Sequence, residues 1–546
     1  MKKYSKPVLK FLLYFFIVLL VFLGLLLIQV AEWVPETFGD IPFEQVIFHM
    51  LAPVESTDTA NYVQSFIHEC LPFPTILTLI LVLLFTIQAQ FSEKIRLKKT
   101  VIVNSILVVC SVISFGLGIQ YCAISVNADD YIDGMLHPST IYEDYYVNPQ
   151  SVNYTFPEQK RNLIYIFLES METTYEDIAN GGAMENNLIP ELTNLANNNL
   201  TFSGGNVAND GFNVLSGNGW TVAAMVGQTS GIPLNIPVDG NSYISEGNFL
   251  NGAYSIGEIL EDSGYVNELL IGSDAEFGGR KYYFEQHGNY NIVDINEVKK
   301  RGWLEQDYYT WWGYEDVKLF EYAKNELTTL ATSEQPFNFS MLTVDTHFTG
   351  GYPCQECIDL WGDQYSNVIS CSSRHVGEFI SWIQAQPFYA NTTIVIAGDH
   401  KSMDTTWFES IEESGYQRKG YFTIINPAIA PVSNESRVMS TVDLFPTTLA
   451  SLGVTFDSNR LALGTNLFTD ERTLAEIIER EEAASHALRL WNKQGRISNL
   501  LHPISHLPDR YMAASFFPAD VSQICAEIWH EHPSKIGVVS QSSLKS

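Results

Sequence analysis

The sequence predicts an α/β domain with a mostly parallel sheet, set behind transmembrane helices at the N-terminus. Three observations predict it. Strand-length apolar runs alternate with helical stretches and end at polar, chemistry-bearing residues: Leu163–Leu168 before Glu169, Thr392–Ala397 before Gly398-Asp399-His400. Continuous apolar runs of that length are how strands buried on both faces read. Ahead of them stand apolar stretches long enough to cross a bilayer, Phe11–Val30 first among them.

Composition narrows the function classes. The 546 residues carry 62 acidic and 31 basic side chains, a formal charge of -31. An acidic surface without a basic stripe excludes nucleic acid as the expected partner. An aromatic content of 13% marks a chain that folds instead of staying disordered.

Three spans are expected: Phe11–Val30, Leu71–Ala89 and Val101–Val126. Lys2, Lys3, Lys6 and Lys10 precede the first, and Lys94, Arg96, Lys98 and Lys99 lie between the second and third. The intervening segment is acidic, so the positive-inside rule puts both basic clusters in the cytoplasm. Everything after about Asn127 is then delivered to the outer face of the membrane, as a multi-pass protein. Ile41–Leu51 reads as an interfacial element. The expected organisation is a membrane domain (1–126), a connector (127–159), an extracytoplasmic catalytic domain (160–470) and a C-terminal helical region with a flexible tail (471–546). Nothing in the sequence sets an oligomeric state.

Within the catalytic segment, helices are expected over Leu188–Leu200, Ile256–Ser263, Tyr314–Leu330, Val376–Ile383 and Val442–Leu449. Strands are expected over Tyr265–Ile271, Phe339–Val344 and Gly420–Ile425. Side chains at the carboxyl ends of such strands form the functional edge of open α/β sheets. Glu169, Asp345-Thr-His347 and Asp399-His400 all fall there. Thr229 and Ser230, before the Gly231-Ile-Pro-Leu234 turn, place hydroxyls at an element's end. Together Glu169, Thr229, Asp399 and His400 supply two carboxylates, an imidazole and a hydroxyl that can close around a divalent cation. A cation there activates the hydroxyl and neutralises a transferring phosphoryl group. His347 then binds the phosphate or protonates a leaving alcohol. The same residue set also serves as a structural metal site, and spacing alone does not make it converge. Cys354-Gln-Glu-Cys357 with Cys371 offers too few ligands for a zinc knuckle. A small local disulfide, its pairing open, is the expectation for an exported domain.

The segments Asn162–Ser170, Gly227-Gln-Thr-Ser230, Asp345-Thr-His347 and Ala397-Gly-Asp-His400 resemble the lipoteichoic acid synthase and phosphoglycerol transferase branch of the alkaline phosphatase/sulfatase superfamily. Gly219–Leu234 is most similar to its glucan-modifying members. Val442-Asp-Leu-Phe-Pro-Thr447 and Ala462-Leu-Gly464 also look superfamily-like, so the resemblance covers roughly residues 160 to 470. It implies that Glu169, Thr229, Asp399 and His400 hold one Mn²⁺ or Mg²⁺ ion, with Thr229 as nucleophile in preference to Ser230. It implies that His347 faces the phosphoglycerol headgroup, and that Asp274, Phe277 and Arg280 line the substrate site. The implied reaction moves phosphoglycerol from phosphatidylglycerol to an outer-face glycan, a periplasmic glucan, through a phospho-threonine. Three apparent spans, instead of the five usual in lipoteichoic acid synthases, favour the glucan-modifying branch. The alternatives are a phosphoethanolamine transferase or another phosphoryl transferase or hydrolase on the same scaffold, and a catalytically inactive membrane-anchored binding domain.

Overall fold

The computed structural model describes residues 5–39, 41, 43, 45–46, 60–91, 97–129, 132, 136, 140–203, 210–234 and 249–480. It divides into a unit Met1–Glu471 and a second unit Arg472–Ser546. Most of the expected interfacial element over Ile41–Leu51, much of the Lys94–Lys99 loop and the C-terminal tail lie outside the described residues. Of the second unit, a helical start is described, where Thr473 Oγ1 accepts from Glu476 N at 3.1 Å and Glu476 Oε2 accepts from Thr473 N at 2.9 Å. The remainder of the acidic helix expected to reach Trp491 lies outside the described residues.

At the N-terminus two helices are long and apolar enough to cross a membrane among the described residues, Val8–Phe38 and Ile102–Ser125. A third candidate is the pair Val63–Glu69 and Pro72–Ile87, bent by 43° at its break. The three expected spans therefore become two, or three if the bent pair is one span. Their outward faces carry Phe11, Phe15, Leu79, Leu83 and Ile113 without cover, which suits lipid and not water. The first and last helices approach closely because small residues line the seam. A Cβ on Gly118 would lie 2.5 Å from the Gly24 carbonyl oxygen.

The large unit is built on one six-stranded sheet. In chain order come β1 (Tyr154–Thr155), β2 (Asn162–Leu168), β3 (Val266–Ile271), β4 (Asn291–Val293), β5 (Phe337–Leu342), β6 (Thr392–Gly398) and β7 (Phe422–Ile425). The sheet order is β4-β3-β5-β2-β6-β7, parallel except for the antiparallel β6–β7 pair. β1 pairs outside it with β8 (Thr455–Phe456), and β9 (Arg460–Leu461) pairs with β10 (Gly464–Thr465). Helices cover both faces, as the sequence predicts. Residues of β2 alternate between two cores: Leu163, Tyr165 and Phe167 pack on one side, and Ile164, Ile166 and Leu168 on the other. With both faces of the strand dry, no polar alternation is left for the sequence to show.

Two elements differ from expectation. The helix expected at Val376–Ile383 begins at Gln364, because Asp363 caps it by accepting from Ser366 N at 2.9 Å. Thr221–Ser230, to which the sequence reading gives no element of its own, is a ten-residue helix closed by Gly231 at φ 67°.

Glu176 gives this fold a pH signature. Its carboxylate is buried, and neither oxygen has a hydrogen-bond partner among the described residues. Burial pushes its pKa up to about 8. The folded chain then keeps a proton that the unfolded chain releases near its ordinary value, so this group's contribution to stability falls as pH rises toward 8. Glu176→Gln is expected to raise Tm more at pH 8 than at pH 5. Equal shifts at both values would contradict it.

Candidate active site

The site is assembled by strand register. β2 lies between β5 and β6, and Leu168 is paired with Gly398. Glu169 and Asp399 therefore leave their strands at the same level, although 230 positions separate them. Asp399 N donates to the Leu168 carbonyl at 2.9 Å, and Thr343, just past β5, donates its N–H to the Phe167 carbonyl at 3.1 Å. Gly398 is needed at this turn, since a Cβ would meet the Met171 carbonyl oxygen at 2.0 Å. Thr346 Oγ1 donates to the Glu169 carbonyl, tying the segment that carries His347 to the same edge.

Four polar side chains converge here, those of Glu169, Thr221, Asp399 and His400. Asp399 Oδ1 accepts from Ser170 N and His400 N, each at 2.7 Å. Its Oδ2 is buried with no hydrogen-bond partner among the described residues. His400 Nδ1 faces the Lys401 carbonyl at 2.8 Å, which fixes a proton on Nδ1 and leaves a lone pair on Nε2. That Nε2 stands 3.4 Å from Asp399 Oδ2 and 3.6 Å from Glu169 Oε1. Thr221 Oγ1 is 3.4 Å from both Glu169 Oε2 and His400 Nε2.

This arrangement fits a divalent cation. Two carboxylates and an imidazole share one small buried volume, and in a dry interior their charge is costly unless protons or a cation offset it. Tetrahedral ligands at about 2.1 Å from an ion stand about 3.4 Å from one another, close to the spacings found. Glu169, Asp399 and His400 lie close enough together to hold one metal ion. Burial pushes the Glu169 carboxyl up, but His347, His400 and the Ser170 hydroxyl outweigh it and hold it below the ordinary range. Burial and the Glu169 charge push Asp399 up to about 8.

Thr229 is not in the cluster, which corrects its expected place as fourth ligand. It sits at the opposite end of the helix from Thr221, roughly 12 Å along the axis. Its Oγ1 donates to the Met225 carbonyl at 2.6 Å and meets Tyr283 OH at 2.7 Å. Ser230 Oγ is 2.5 Å from the same Tyr283 OH. The residue at the cluster is Thr221, at the helix's first position, where the partial positive charge of the N-terminus lies. Gln228 fixes the helix in that pose: its Oε1 accepts from Tyr165 OH at 2.9 Å, and its Nε2 donates to the Gly398 carbonyl at 2.9 Å. The signal for Thr221 was the start of a helix after the glycine-rich Gly217-Asn-Gly219.

His347 and Arg280 border the cluster. His347 Nδ1 faces the Phe348 carbonyl at 2.7 Å, and its ring packs on Trp312 and Phe348. Burial lowers its pKa against the opposing pull of Glu169, so it is neutral at pH 7. Arg280 is buried, with Nε donating to the Phe277 carbonyl and Nη2 to the Asp274 carbonyl. Burial lowers its pKa to about 10, with Glu169 the foremost charge opposing that. The Asp274 carbonyl holds Arg280, and its side chain accepts from Glu276 N and Asn296 Nδ2 at the surface. Phe277 lies 5.4 Å from the Arg280 guanidinium.

Residues 161–454 match the sulfatase family, more than half of the chain. The chain belongs to the sulfatase family. Among curated proteins it is similar to phosphoglycerol transferase I of Salmonella choleraesuis (strain SC-B67), 31% identical over 359 residues, which are 64% of this chain and 44% of that one. The chain thus spans less than half the length of the curated relatives it matches. Among solved structures it is similar to an alkaline phosphatase superfamily protein from Vibrio parahaemolyticus, with TM-score 0.45, 19% identity and coverage of 62% and 76% of the two chains. It is also similar to a lipoteichoic acid synthase from Listeria monocytogenes, with TM-score 0.44, 17% identity and coverage of 58% and 79%.

Proposed function

We propose that this sulfatase-family chain is a membrane-anchored, metal-dependent transferase that moves phosphoglycerol from phosphatidylglycerol to an outer-face glycan, a periplasmic glucan, with Thr221 as nucleophile. The observation that carries the proposal is the Thr221 hydroxyl, held 3.4 Å from Glu169 and from His400 at a helix N-terminus. The phosphoglycerol headgroup is inferred from the similarity to phosphoglycerol transferase I.

Glu169, Asp399 and His400 would hold a Mn²⁺ or Mg²⁺ ion, which would supply Lewis acidity for phosphoryl transfer at this site. In the first half-reaction the Thr221 Oγ1–phosphorus bond forms and the phosphorus–diacylglycerol oxygen bond breaks. The proton lost by Thr221 passes to the departing alcohol, and neutral His347 is the group that relays it. In the second half-reaction a glycan hydroxyl attacks the phospho-threonine. The bond to Thr221 breaks, and the glycan's proton restores the threonine hydroxyl. Arg280 holds a phosphoryl oxygen with a guanidinium already fixed by two backbone carbonyls, which limits the ordering cost on binding.

A cavity of about 720 Å³ supports a lipid donor. Phe38 and Gly39, at the end of the first apolar helix, line it together with Ser216, Gly219, Lys401 and Arg418. It therefore joins the helix end to the loops that carry Thr221 and His400. Thr405 Oγ1 donates to the Glu36 carbonyl at 2.9 Å, and Phe38 meets Phe348 edge-on at 6.4 Å, fastening helix to domain.

The test is mass analysis of the peptide containing Thr221 after brief incubation with defined phospholipids. Phosphatidylglycerol is expected to leave phosphoglycerol on Thr221. A phosphoethanolamine adduct formed from phosphatidylethanolamine would reassign the donor, and an adduct on Thr229 would overturn the nucleophile.

A further inference from the structure

The loop that leaves His347 carries Cys354 and Cys357, and the helix Gln364–Gln384 that follows carries Cys371 and His375. Four positions apart on a helix, Cys371 and His375 share one face. Three thiols and an imidazole meet there. Cys354 Sγ is 3.5 Å from Cys357 Sγ and 3.8 Å from Cys371 Sγ, and Cys371 Sγ is 4.0 Å from His375 Nε2. Cys354, Cys371 and His375 are buried and close enough to bind one ion. None of the three cysteines is bonded to another.

We propose that Cys354, Cys357, Cys371 and His375 form a second metal site, a structural Cys₃His zinc site separate from the Glu169–Asp399–His400 cluster. His375 is the ligand that the cysteine spacing did not reveal, and with it the set is complete. Zinc holds sulfur at about 2.3 Å and nitrogen at about 2.0–2.1 Å, which puts tetrahedral sulfurs about 3.8 Å apart and sulfur about 3.6 Å from nitrogen. Cys354, Cys371 and His375 stand close to that geometry, and Cys357 Sγ, 3.5 Å from Cys354 Sγ, is the thiol that would complete the set. A disulfide would use two of the three thiols and leave the third cysteine and His375 without a role.

Charge supports the assignment. Zinc with three thiolates and a neutral imidazole carries a net charge of one minus. The Arg374 guanidinium lies 3.5 Å from Cys371 Sγ and balances it. Glu356 Oε2, 3.2 Å from His375 Nε2, belongs to a half-exposed side chain that can turn to solvent as the metal enters. Binding releases the three thiol protons.

The site would brace the wall beside the active centre. Residues 348–363 contain no helix or strand. They reach the active-site edge where Gly350 N donates to Asp404 Oδ2 at 2.7 Å and Tyr352 N donates to the Asp345 carbonyl at 2.7 Å. Zinc would tie that loop to the helix behind it.

The experiment is elemental analysis of the purified full chain, compared among variants. In Glu169→Gln/Asp399→Asn, which disables the first cluster, one zinc per chain is expected to remain. In Cys357→Ser and in His375→Ala it is expected to be lost. Peptide-mapped alkylation of wild type, denatured with chelator and without reductant, is expected to label Cys354, Cys357 and Cys371 fully. This second readout stands even if the cysteine variants fold poorly. Absence of zinc from the Glu169→Gln/Asp399→Asn chain, or two of the three thiols labelled only after reduction, would overturn the proposal.

Discussion

Thr221→Ala is expected to abolish transfer, with kcat falling by about 10⁴-fold or more, the scale of removing a nucleophile. Thr229→Ala is expected to retain activity. The two hydroxyls occupy opposite ends of one helix, so the pair tests position with the local fold held in common. Thr229 holds a buried hydrogen-bond pair with Met225 and Tyr283, and losing it should cost about 1–2 kcal/mol of stability. That loss lowers Tm without touching the metal-ligand cluster. Thr221 occupies the half-exposed mouth of the site, so its loss should leave Tm nearly unchanged. Assays of both variants against phosphatidylglycerol, with thermal unfolding in parallel, check the prediction. Full activity in Thr221→Ala, or an inactive but folded Thr229→Ala, would refute it.

Asp399→Asn is expected to uncouple stability from metal. In wild type, divalent metal should raise Tm, because it binds the folded chain and not the unfolded one. The Asp399 Oδ2 atom is buried without a hydrogen-bond partner among the described residues, and it faces the His400 lone pair at 3.4 Å. Above about pH 8, where metal-free Asp399 is ionised, an amide in its place turns an acceptor into a donor among acceptors. The metal-free variant should therefore unfold at a higher temperature than metal-free wild type. Its affinity for Mn²⁺ should fall by about 10²-fold or more, beyond what losing a residue that merely supports a ligand costs. Thermal unfolding with and without added Mn²⁺ reads both effects. A metal-dependent rise in Tm equal to that of wild type would remove Asp399 from the cluster.

The sheet was legible because its strands are buried on both faces. Leu163–Leu168 and Thr392–Ala397 show uninterrupted apolar runs, and the polar residue that ends each run marks the functional edge. Glu169, Asp399 and His400 could be placed on that edge without knowing the fold. The Thr221–Ser230 helix was harder to read for a related reason. Every residue from Val222 to Ser230 is buried, so no polar face sets a helical period, and Trp220 offers no side-chain cap. The conspicuous Gly231 turn instead marks the hydroxyls of Thr229 and Ser230, at the opposite end of the element from Thr221. His375 was missed because its partners are split between a loop and a helix. Ligand spacing along the chain is informative when one short motif supplies every ligand, which is not the case here.

The first helix sets a working height. Its 34 residues run from Ser5 to Phe38, about 51 Å of rise. A bilayer's hydrocarbon core is about 30 Å thick, and about 40–45 Å with its headgroup layers. If this helix crosses the bilayer, its last turns emerge at the headgroup plane, where Glu36 and Phe38 fasten to Thr405 and Phe348. The centre would then be moored beside the bilayer instead of hanging from a slack tether. A lipid donor is within reach without leaving its leaflet. A polymeric acceptor has to come down to the surface, so the residues it presents there, more than its overall length, would decide which of its units are modified.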